Sequence, residues 1–184
     1  EGGFAPMINN NNQALELIVK AIKKSNLVNG KDVSICLDVA ANELYKKNRY
    51  SIHSKKYMSV EKSITEYQKI IRKSGFVNGK DVSICLDVAA NELFQKNKYS
   101  IHSKKYLSVD KSILEYKNMI KKYKIKSIED PFAENDWMAW NKLMKSIKKV
   151  QIVGDDLYVT NLERLKKGFL NLSSNAILIK LNQI

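Results

Sequence analysis

Cysteine, histidine and proline are nearly missing from this 184-residue chain, with two of each. Cys36 and Cys85 occupy the same place in two near copies of one segment, each inside an apolar, strand-like run. That placement excludes a disulfide framework and leaves two reduced core residues. With so few cysteines and histidines, no thiolate or imidazole cluster is available to a metal. Long hydrophobic runs are absent too. None approaches the roughly 18 apolar residues that cross a membrane. Both ends read as cut, and the expected setting is soluble and cytoplasmic.

Acidic residues are outnumbered, 19 against 32 Lys and Arg, giving a net charge of +13 and a pI near 9.6. Such an excess invites a nucleic-acid reading, because clustered cations release counterions from phosphate. The chain nevertheless lacks aromatic-interleaved RNA motifs, zinc-finger spacing and a helix-turn-helix signature. Its lysines run along helix-like segments, such as Lys20, Lys23 and Lys24 or Lys142, Lys145, Lys148 and Lys149. They read as solvated faces, and neither nucleic acid nor membrane is an expected partner.

What the chain does have is alternation. Gln13 to Lys24 places Leu15, Ile18, Val19 and Ile22 on one helical face and stops at the Asn29-Gly30 turn signal. "DVSICLDVA" is short, β-branched and apolar throughout, as a strand covered on both faces should be. Ser59 is a cap candidate for a helix carrying Ile64, Tyr67, Ile70 and Ile71 on one stripe. Further on come "IKSIED", "DWMAWNKLMKSIKK", "VQIVGDD", "NLERLKKGFL" and "AILIKLNQI", read as strand, helix, strand, helix and strand. This order predicts an α/β fold with a parallel sheet or barrel. At 184 residues it is short of the roughly 250 of a (β/α)8 barrel.

The carboxylates follow the same rhythm. Asp38, its copy Asp87, Glu129 and Asp155 each stand at the C-terminal end of a predicted strand, where parallel folds build their sites. Three hard oxygen ligands from adjacent strands suit Mg²⁺ better than zinc. Lys180 ends the next predicted strand; beside a divalent cation and partly out of water, a lysine can give up its proton and serve as a base.

The strings "EGGFAP", "LDVAANEL", "SIEDPFAENDWMAW", "VGDDLYVTN" and "LIKLNQI" come in the order, and the last four almost in the wording, of the enolase family. The chain resembles that family's barrel domain along its whole length apart from the duplication. The resemblance implies an incomplete TIM-like barrel that a smaller α+β domain precedes in the family. It also implies reversible, Mg²⁺-dependent dehydration of 2-phosphoglycerate to phosphoenolpyruvate in glycolysis. Carried over, Glu1 is the acid that helps expel the C3 hydroxyl, and Lys180 is the base for the C2 proton. Asp87 or Asp38, with Glu129 and Asp155, are the Mg²⁺ ligands. Gly2 and Gly3 suit a loop at the site mouth. Asp130, Asp156, Asn182 and Gln183 are expected to be supporting residues. His53 and His102 fall in the polar "YSIHSKKY" stretch, which reads as an exposed hairpin-like insertion.

The family's serine-bearing N-terminal loop and its later His, Arg-Ser and Lys have no counterpart here, so the isolated chain is expected to be inactive. The parent is expected to be a homo-oligomer. A noncatalytic scaffold holding RNA or a protein partner is the alternative.

The repeat needs its own account. Residues 25–73 realign on 74–122 at an offset of 49, with 37 positions identical. Two units are too few for a solenoid, and a barrel has one slot for this strand. Asp87 is the expected ligand, because one helix links it to Glu129. The other unit is then expected to bulge out with its apolar strand uncovered.

Overall fold

The computed structural model describes residues 7–8, 11–29, 31–33, 35–37, 45–46, 49–50, 59–101 and 105–180. Glu1, Gly2, Gly3, Asp38, His53, His102, Asn182 and Gln183 lie outside the described residues. The chain divides into two compact units, residues 2–84 and 85–184.

In the first unit, α1 (Asn11–Lys24) precedes β1 (Ile35–Leu37), the hairpin strands β2 (Tyr45–Lys46) and β3 (Arg49–Tyr50), and α2 (Val60–Lys73). The predicted apolar face of α1 is buried only in part. Leu15 is covered, whereas Ile18 is 46% exposed. Ser59 caps α2 by accepting from the Lys62 N–H, and Ile64 and Ile71 bury its stripe. The two "VNGKD" turns fold alike. Asp32 and Asp81 each accept from the backbone N–H four residues earlier, at 2.8 Å in both.

The first copy of the repeated strand is not left uncovered. β1 pairs in parallel with Val82–Ile84, the first half of β4 (Val82–Asp87), so this part of the expectation is corrected. A strand edge offers unpaired N–H and C=O groups, and a near-identical apolar strand satisfies them. Ile35 pairs with Val82, although the repeat aligns it with Ile84. The slip is two residues, which keeps the same side chains on the same face.

In the second unit, Cys85–Asp87 pairs with β7 (Ser127–Glu129), β7 with β8 (Gln151–Gly154), and β8 with β9 (Ala176–Ile177), all in parallel. The short hairpin β5 (Phe94–Gln95) and β6 (Lys98–Tyr99) follows β4, and α3 (Val109–Tyr123), α4 (Trp137–Ser146) and α5 (Leu162–Leu170) connect the later strands. The described strands do not close into a barrel, so the fold is an incomplete TIM-like (β/α) barrel. β9 is shorter than "AILIK" predicts, and Lys180 stands three residues past its end.

The core of this unit lies between strands and helices. Ile128, Ile152, Trp140, Tyr116 and Tyr99 have no exposed surface. Phe132 meets Tyr99 and Tyr116 edge-on, at 4.9 and 5.9 Å between ring centroids. The polar "YSIHSKKY" stretch is therefore not wholly exposed, since its first residue in the second copy, Tyr99, is a core ring. The ring's hydroxyl donates to Asp136 Oδ2 and accepts from the Ala133 N–H. An alternation count misses this because the aromatic is amphipathic, with a body that packs and a tip that bonds.

Candidate metal and proton-transfer site

Parallel pairing sets the site. Asp87 and Glu129 are ladder partners at the C-terminal ends of β4 and β7. Past its own strand end, the chain after Asp87 turns through Ala89, whose φ of +44° lies in the left-handed region, and Asp87 Oδ1 accepts the Ala89 N–H at 3.1 Å. The Val88 and Ala90 N–H groups bond to the Glu129 and Asp130 carbonyls, which continues the β4–β7 seam beyond the strands. The second copy of the repeat therefore delivers its Asp to the neighbourhood of Glu129. Asp38, in the first copy, lies outside the described residues.

Asp155 follows β8 and is 7% exposed. Its Oδ2 lies 2.7 Å from Lys180 Nζ, and its buried Oδ1 has no hydrogen-bond partner. The Lys180 backbone N–H donates to Thr160 Oγ1 at 3.0 Å, which ties the segment after β9 to the loop after β8.

Asp130, 3% exposed, binds that loop from the other side. Its Oδ1 accepts from Asp155 N at 3.1 Å, and its Oδ2 from Asp156 N at 2.9 Å. Burial pushes its carboxyl up to about 6, while the N–H donors pull the other way.

Oxygens of Asp87, Glu129 and Asp130 lie within 4.8 Å of one another, as do those of Asp130, Asp155 and Asp156. Asp130 belongs to both groups, and the two groups together contain Asp87, Glu129 and Asp155. Each group could hold a hard divalent cation, and Asp155 does not share a group with Asp87 and Glu129. The donors are carboxylate oxygens, and one buried oxygen, Asp155 Oδ1, is unsatisfied, which is costly unless a cation or donor meets it.

Three further residues tie the loops together. Asn91 accepts from the Glu134 N–H at 2.8 Å and donates to Asp156 Oδ2 at 3.1 Å. Arg164 donates to the Leu157 and Glu134 carbonyls. The Tyr158 ring lies so close to Gly154 that a Cβ there would sit 2.6 Å from Cε2, and its hydroxyl is 2.6 Å from Ser174 Oγ. The sequence shows these side chains only as polar residues, because each has a partner at least 16 and up to 65 positions away.

The family model described as "Enolase, C-terminal TIM barrel domain" matches residues 1–70 and again residues 58–184. Each match takes in one copy of the repeated strand, as a fold with a single slot for it requires. The enolase of Pelagibacter ubique (strain HTCC1062) is 59% identical over 184 residues, covering 100% of this chain and 32% of its own length. The chain thus spans about a third of the length of that curated relative.

Proposed function

The chain belongs to the enolase family, and from that premise we propose that it is a piece of a glycolytic hydro-lyase, a phosphopyruvate hydratase. Its parent interconverts 2-phosphoglycerate and phosphoenolpyruvate. The observation that carries this reading is the Lys180–Asp155 pair at 2.7 Å beside strand-end carboxylates that accommodate a divalent cation.

Asp87, Glu129 and Asp155 are the residues that would hold Mg²⁺. When bound, the ion supplies electrostatic stabilisation of the charge that grows beside the substrate carboxylate as the C2 proton leaves. Lys180 accepts that proton at Nζ, and its contact with Asp155 holds the amine at the strand ends. Glu1 protonates the departing C3 hydroxyl. Asp87 supplies the first ligand in preference to Asp38, because the β4–β7 ladder sets it beside Glu129. The parent is a cytoplasmic homo-oligomer. Among the described residues no helix is long and apolar enough to cross a membrane.

The test is phosphoenolpyruvate formation followed by its absorbance. These 184 residues alone give no turnover, since the described strands leave the barrel open and ligands on an open sheet are poorly anchored. Embedded in the full parent, the segment gives Mg²⁺-dependent turnover that chelation and Lys180→Ala abolish, and Asp87→Ala is more damaging than Asp38→Ala. Turnover that survives Lys180→Ala would sink the assignment of the base, and a full parent that gives no turnover with Mg²⁺ would favour a noncatalytic scaffold.

A further inference from the structure

We infer that Asp130 is the positioning residue of this site: its carboxylate fixes the tip of β8 so that Asp155 and, through it, Lys180 stand where cation and substrate meet them. The inference rests on the metal and proton-transfer reading above and adds a residue to it.

Three observations carry it. The side chain turns inward, accepting N–H bonds from Asp155, Asp156 and Leu157 at 3.1, 2.9 and 3.5 Å. The backbone of the same residue works outward. Its N–H donates to the Val153 carbonyl and its carbonyl accepts from Ala90 N, so one residue joins the segments after β4, β7 and β8. The third observation is φ, at +40°, a left-handed conformation that glycine would hold without strain. A glycine would make the turn and lose all three side-chain acceptances. The carboxylate thus does something that the turn alone does not require.

The order of contacts gives the direction of influence. Asp130 holds the Asp155 backbone, Asp155 Oδ2 holds Lys180 Nζ, and Glu129 is next to Asp130 in the chain, so the left-handed turn also sets where Glu129 leaves its strand. Asparagine at position 130 keeps the shape but offers one acceptor oxygen, and its NH₂ meets an N–H donor head-on.

The test compares Asp130→Asn with Asn175→Ala in the full chain. Asn175 bonds the Ile152 N–H and the Val150 carbonyl at the opposite end of the same strand, so its loss weakens β8 without reaching the tip. Two quantities are read: Mn²⁺ affinity by titration, and the acylation rate of Lys180 by mass spectrometry without metal. Asp130→Asn weakens Mn²⁺ binding by about 10- to 100-fold, the range for outer-sphere partners of metal ligands, and exposes Lys180 to acylation. Asn175→Ala at equal thermal stability leaves both unchanged. Equal effects of the two variants, or none from Asp130→Asn, overturn the inference. If the unsubstituted chain takes up no Mn²⁺, the metal reading fails, and the Lys180 rate alone decides the role of Asp130. Should Asp130→Asn not fold, Asp130→Glu, which keeps the charge but moves the oxygens by one methylene, is read on the same two scales.

Discussion

Replacing Tyr99 with phenylalanine isolates one hydroxyl in the second unit. The ring is fully buried, against Phe94 and Phe132 at 4.7 and 4.9 Å, and phenylalanine keeps all of that packing. The hydroxyl leaves two groups behind. The Ala133 N–H, 3.2 Å away in the buried loop after β7, loses its acceptor, which costs about 1–3 kcal/mol. The Asp136 carboxylate loses a donor at 2.8 Å, but Asp136 is half-buried and water replaces part of that bond, so its share is at the low end, about 1 kcal/mol. The expected loss is about 2–4 kcal/mol. At a urea slope of about 2 kcal/mol per M, the midpoint moves down by roughly 1–2 M. Trp137 and Trp140, the two tryptophans of the chain, both lie in α4, and Trp140 Nε1 donates to the Ala133 carbonyl, so their fluorescence reports this loop directly. A midpoint shift below about 0.3 M with an unchanged slope would refute the placement of the second repeat's hairpin against the β7 loop.

Other outcomes follow from the same contacts. Asp155→Asn removes one side of the 2.7 Å pair with Lys180 and a proposed ligand, so calorimetry should show weaker Mg²⁺ uptake with little change in melting temperature. Asn161 accepts from Glu163 N and Arg164 N at the start of α5, whereas Ser108 makes no side-chain cap bond to α3. Asn161→Ala should therefore cost about 1 kcal/mol and Ser108→Ala much less, read from denaturant midpoints. Gly168→Ala reverses a usual sign. Alanine normally strengthens a helix by about 1 kcal/mol, but here its Cβ would meet Tyr158 Cζ at 2.7 Å, so the chain should lose stability. At alkaline pH, burial holds the phenols of Tyr99 and Tyr116 above their ordinary range of about 10. The unfolded chain releases those protons first, so their stabilising contribution is complete below pH 10 and falls as pH rises above it. Phenolate absorbance should appear in two stages, the second with unfolding.

The local elements were legible in the residues themselves. Ser59 as a cap, the stripe of Ile64 and Ile71, the turn signalled at Asn29 and the short apolar strands all depend on neighbours a few positions away, and all stand in the fold. The strand-end rhythm of Asp87, Glu129 and Asp155 was legible as well, because parallel strands joined by helices bring their C-terminal ends to one side whatever the connecting sequence.

Tertiary pairing decided the rest. Two copies of "SICLDVAANEL" carry the same propensities; the single helix between Asp87 and Glu129 favoured the second, and the ladder with β7 makes the two residues partners. The first copy's strand takes the β4 edge at a two-residue slip, an outcome set by which backbone groups were left unpaired. Asp130 reads in the chain as a supporting residue beside Glu129, with nothing to say what it supports. Its work depends on N–H groups some 25 positions later, which only the β7–β8 pairing brings within reach. A sequence determines which segments can become strands and helices because those preferences are local. It leaves to the folded chain which of two equal segments pairs with β7, because that choice depends on contacts between residues far apart along the chain.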